Sequence, residues 1–167
     1  MRLISGEIEA PVLRALGARA TPASAQELKQ LLQQFPAYLL CARTLSKHLN
    51  DLGQPPAALA VAQHCAQLAP GTAQTTSETG RACYLLGDKE NALRLLKESV
   101  TQNPQHIGAW GYLLRFLAGE NSPELDEYLQ LATEGNPESY RLPLLILRLS
   151  PKDKQLGLLR RLLKDKL

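Results

Sequence analysis

Lys47, Arg81 and Arg115 are evenly spaced along the chain, with Arg43 one helical turn ahead of the first. Cations in such a column would bind carboxylates. An ammonium acts as a point charge, whereas a guanidinium presents a planar fork that holds a carboxylate through two parallel N–H···O bonds. That is the chemistry of recognising acidic side chains or a free C-terminus. The competing reading is a solvated basic surface on which Glu78, one turn from Arg81, cancels its charge locally.

Little else in the chain could do chemistry. Cys41, Cys65 and Cys83 have neither the close pairing of a zinc site nor the density of a disulfide scaffold, so they are expected to be small hydrophobes in a reduced core. His48, His64 and His106 are scattered, and His64 and Cys65, being adjacent on a helix, point in different directions. There is no nucleophile elbow, phosphate loop, catalytic carboxylate pair or metal motif. No enzyme activity, no cofactor and no metal are expected.

The elements that would position the cations repeat with the same period. Pro36, Pro70 and Pro104 are separated by that interval, as are Gly53 and Gly87, Ala58 and Ala92, and Leu59 and Leu93. One helix-turn-helix unit is therefore copied along the chain. Small residues at Ala58, Gly80 and Ala92 allow close helix approach, and Leu45, Leu49, Leu93 and Leu96 fill the space between. Asp88, Ser122 and Ser150 can cap helix starts, the last two ahead of prolines, and Ser24 with Glu27 has capping-box spacing. Asn103-Pro104, Ala69-Pro70 and Asn136-Pro137 stop helices.

These residues resemble the tetratricopeptide repeat. The best copy is 73–106, with Gly80, the Gly87-Asp88 turn, Ala92, Leu96 and Pro104. A second is 39–72, and a third, 107–138, opens with Trp110, Leu113, Leu114 and Leu117 but has a shortened turn. The resemblance implies an all-α superhelix of antiparallel pairs whose first helices line a concave groove. It points to the fifth and ninth positions of those helices, held here by Arg43 and Lys47, Ser77 and Arg81, and Gly111 and Arg115; the peptide-binding candidates are Arg43, Lys47, Ser77, Arg81 and Arg115. The asparagines and full lysine set of the chaperone-tail clamp are missing. The resemblance thus implies a scaffold or adaptor for a protein partner, with an acidic peptide as the favoured ligand. Class II chaperones of type III secretion, similar in size, are the alternative, with a hydrophobic cargo segment.

The remainder reads as one domain over 1–167, with about eight to ten helices. Thr21 to Gln34 forms the second helix of a degenerate first unit in 1–38. Pro11 to Leu16 is a fragment of its first helix, and Gly6, Gly17 and Ala18 to Pro22 are loose. Leu142 to Leu149 suit a buried helix, and Pro151 to about Lys166 a cationic amphipathic one, together capping the stack in 139–167. Positions 141–167 carry a net charge of +6 within a chain of +3, so positions 1–140 sum to −3. The last helix could instead form a homodimer contact, which would make the protein a self-assembling structural element. Nucleic acid is not expected as a partner, because no aromatics interleave the charges. No stretch is long and apolar enough for a transmembrane segment. Glu7 and Glu9 and the lack of an apolar run at the N-terminus favour a cytoplasmic location, or a periplasmic one if a leader has been removed.

Overall fold

A computed structural model describes residues 6–139 and 141–149, in which there are nine α-helices and no strands. They pair as α1 (Gly6–Gly17) with α2 (Pro22–Gln34), α3 (Leu39–Asp51) with α4 (Pro55–Leu68), α5 (Ala73–Leu85) with α6 (Lys89–Gln102), and α7 (Ile107–Gly119) with α8 (Leu125–Gly135). The last is α9 (Arg141–Leu149). The first helices α3, α5 and α7 are each thirteen residues long and begin at Leu39, Ala73 and Ile107, in step with the prolines. Sequence period and structural period coincide.

Helix ends follow from side chains and backbone conformation. Each of α2, α4, α6 and α8 stops two residues before a proline, at Pro36, Pro70, Pro104 and Pro137. Asp88 caps α6 by accepting from the Asn91 amide at 3.2 Å. At α2 the cap differs from expectation: Thr21 and Ser24 form the reciprocal capping box with Pro22 in the first turn, and Glu27 pairs instead with Arg14 at 3.1 Å. Nor does Ser122 cap α8. It accepts from the Glu124 amide at 3.3 Å in a turn, and the helix begins only at Leu125.

The turn of the third unit is in register, contrary to the shortening expected from sequence. Gly53 and Gly87 adopt φ of 70° and 87°, and Asn121, one period further on, takes the same left-handed conformation at 50°. Asparagine tolerates that region. What is shorter is α8, with eleven residues against fourteen in α4 and α6.

The first helices α1, α3, α5, α7 and α9 touch in succession, while each second helix packs on its own partner and on the next first helix. Among the described residues, second helices make no such contacts with one another, so the stack bends with the first helices inside. Two apolar clusters fill it. One runs through Val12, Leu28, Cys41 and Leu45, and the other through Leu96, Leu113, Leu117 and Leu142. The segment expected to be a short fragment with loose ends is a full helix: α1 carries Pro11 internally, and burial of Val12 and Ala15 compensates for the backbone bond that proline lacks. The Leu142–Leu149 run packs through one face only, with Leu142 and Ile146 buried and Leu144 exposed. The Ser150 cap, the final cationic helix and its suggested dimer contact lie outside the described residues.

Candidate binding groove

The inner wall holds a cavity of about 480 Å³ lined by three consecutive first helices, through Lys47 and Asp51 of α3, Arg81, Tyr84 and Leu85 of α5, and Tyr112, Arg115 and Phe116 of α7, together with Leu96 of α6. The evenly spaced column thus converges on one space. Arg115 is exposed there and forms no ion pair among the described residues. Tyr84 and Phe116 meet edge to face, ring centroids 5.0 Å apart, forming an apolar wall beside it.

The other candidates lie elsewhere. Ser77 is fully buried and its hydroxyl donates to the Gln74 carbonyl at 2.9 Å, so it does not line the cavity. Gly111, at the equivalent place on α7, is buried as well. Arg43 lies toward the helix N-termini, donating to Thr72 Oγ1 at 3.0 Å, with its buried Nε unpaired among the described residues. Burial and the neighbouring Arg43 lower the pKa of His106.

Arg81 is tied into a network that sequence spacing alone does not disclose. Its Nη2 donates to Asp51 Oδ1 at 2.6 Å, its Nη1 lies 3.4 Å from the Tyr112 hydroxyl, and the guanidinium sits 5.0 Å from the centre of that ring. The same Asp51 accepts from Lys47 Nζ at 3.3 Å. The partner of Arg81 is thus a carboxylate on the preceding first helix; Glu78 turns inward, is 5% exposed, and accepts from the Tyr112 hydroxyl at 2.7 Å and Asn50 Nδ2 at 3.1 Å. Tyr112 stands one full period after Glu78, and Asp51 one helical turn after Lys47. Those spacings are the signals that the sequence offers for the network.

The two carboxyls respond oppositely to the site. Burial alone would raise Asp51, but Arg81 and Lys47 hold its pKa below the ordinary value. Burial wins at Glu78 and raises its pKa, against the opposing effects of Tyr112, Arg81 and Asn50 and with a contribution from Asp51. An acid with a raised folded pKa binds protons better in the native state, so its contribution to stability falls as pH climbs from the unfolded value of 4.5 to the folded one. Asp51 works the other way, stabilising above the usual aspartate range and losing that effect as pH falls through its depressed pKa. Glu78→Gln should remove the declining limb, the neutral amide accepting from Asn50 Nδ2 through its oxygen and donating to the Tyr112 hydroxyl through its nitrogen. A gain of about 1 kcal/mol at pH 7, from the buried charge that is no longer formed, is expected in urea unfolding, with no gain at pH 4.

The remaining chemistry is sparse. The three cysteines are free and buried, and burial, the largest cause, pushes the thiols of Cys41 and Cys65 up to about 11. No described group of three His, Cys, Asp or Glu residues is placed to hold a metal ion. No described helix is long and apolar enough to cross a membrane. A second cavity, about 580 Å³, opens between α2 and α4 on the outer row.

Stacked antiparallel helix pairs with a groove along the first helices make this an all-α superhelix, the fold that tetratricopeptide repeats build. Solved structures of MamA share it: one described as the crystal structure of MamA matches with a TM-score of 0.61 and 17% identity over 99% of this chain and 96% of that one. A MamA RS-1 double mutant gives 0.63 and 16% over 97% and 96%. MamA 41-end from Desulfovibrio magneticus RS-1 gives 0.60 and 18% over 97% and 94%. At these identities the likeness is one of fold. No family model and no curated protein matches the sequence.

Proposed function

We propose that the protein is a non-catalytic scaffold that holds an extended segment of a protein partner along its first helices, with a carboxylate of that segment on Arg115. The observation that carries this reading is the Arg115 guanidinium, without an ion-pair partner among the described residues, beside the Tyr84–Phe116 wall in a cavity lined by three first helices and by Leu96 of α6. A rigid stack costs little to organise on binding, and a guanidinium flanked by an apolar wall gives a charge-assisted contact that also shields the bound segment from water. The charged residues around the cavity weigh against a chaperone for a purely hydrophobic cargo.

Selection of a displayed random-peptide library on the protein tests the reading. Enriched sequences should place one Asp or Glu beside an aromatic or aliphatic residue. Arg115→Ala should weaken the synthesised peptides about tenfold in fluorescence anisotropy, the equivalent of about 1.4 kcal/mol. Equal binding by wild type and variant would dispose of the anchor.

A further inference from the structure

Asp51 is placed where a ligand's carboxylate would be expected. Its two oxygens are divided between cations of two helices, Oδ1 at 2.6 Å from Arg81 and Oδ2 at 3.3 Å from Lys47. It is also the last residue of α3, where the negative end of the helix dipole disfavours a carboxylate. Local helix energetics therefore do not account for the arrangement, whereas the paired cations do. Lys47, Arg81 and Arg115 all line the cavity, but the first two are already answered within it. The third, Arg115, adjoins Leu85, an exposed leucine, and the aromatic pair.

We infer that Asp51 is a built-in occupant of the Lys47–Arg81 cation pair, and that it sets the groove's specificity for partner segments bearing one carboxylate beside an apolar side chain rather than an acidic tract. A run of acidic residues gains little from this groove, because a second ligand carboxylate meets cations already paired and an adjacent aspartate of like charge. A single carboxylate on Arg115, with its neighbour against Tyr84, Leu85 and Phe116, meets no such opposition. This rests on the scaffold reading above and identifies the class of segment it takes.

The probe is fluorescein-labelled hexaglutamate, measured by anisotropy at low ionic strength against wild type, Asp51→Asn and Asp51→Asn/Arg115→Ala. Asn keeps the side-chain shape but lacks the charge, and Asp51→Ser serves as a second variant should the first unfold. Hexaglutamate should bind Asp51→Asn about tenfold more tightly than wild type, with a steeper loss of affinity on adding salt. Removing Arg115 as well should take back most of that gain. The library-selected peptides should change less than about threefold, since their single carboxylate sits on Arg115. Unchanged or weaker hexaglutamate binding by folded Asp51 variants, while wild type still binds the selected peptides, overturns the role of Asp51 and leaves the scaffold reading standing. Absence of binding by every protein to every peptide removes both.

Discussion

Valine in place of Gly80 is expected to cost about 3 kcal/mol of unfolding free energy, the upper part of the range for overpacking a well-filled core. A Cβ built at Gly80 lies 3.1 Å from Leu96 Cγ, 3.2 Å from Leu95 Cβ and 3.3 Å from the Ala92 carbonyl oxygen. The last is backbone of the partner helix and cannot rotate away, and Leu96, 1% exposed, could give way only toward the groove cavity that it lines. Two further methyl groups would force α5 from α6 along the closest interface of the unit. Alanine at Gly80 should cost less, because a gain in helix propensity of about 1 kcal/mol offsets the same contacts. Gly135→Ala, where nothing lies within 4 Å, is the control and should not destabilise through contact. Urea unfolding followed by circular dichroism reads all three; a wild-type midpoint for Gly80→Val would mean that the helices are not this close.

Gly80 marks a contact particular to its own unit, since Ser46 and Leu114 stand one period to either side. Ala58 and Ala92 and the prolines Pro36, Pro70 and Pro104 do repeat in phase, and they are what make so much of the fold legible in the sequence. The period fails where a different residue meets the same demand: Asn121 supplies the left-handed turn without being glycine, so the third unit reads as shorter in its turn than it is. The site is only partly legible. Lys47, Arg81 and Arg115 share a phase and line one cavity, but phase does not specify what each side chain reaches. Arg43 shares a helix with Lys47 and turns to Thr72, and Ser77 shares one with Arg81 and is buried. Asp51 and Tyr112 reach Arg81 across helix boundaries, over sequence separations of 30 and 31 residues that belong to the stacking rather than to the repeat itself.

His48 belongs to the same class of unannounced contacts, and its replacement by alanine is expected to cost about 3 kcal/mol, combining a lost buried ring with unpaired polar groups. The ring is fully buried, with Nε2 3.1 Å from the Ala15 carbonyl oxygen and Nδ1 3.0 Å from Ser24 Oγ. A carbonyl can only accept, so Nε2 donates; α3 thereby grips the end of α1 and the first turn of α2 together. Leucine at this position keeps the volume and loses the bonds, so it should recover part of the loss while leaving about 1 to 2 kcal/mol for the stranded acceptor. Because α1 is the first described helix of the stack and, among the described helices, packs only on α2 and α3, the damage should be confined to that end. Hydrogen exchange should quicken through α1 and the start of α2 while α5 and α7 keep their protection. Uniform acceleration across all helices would show instead that the first unit is an integral part of one cooperative core, and wild-type exchange throughout would show that His48 does not join these helices.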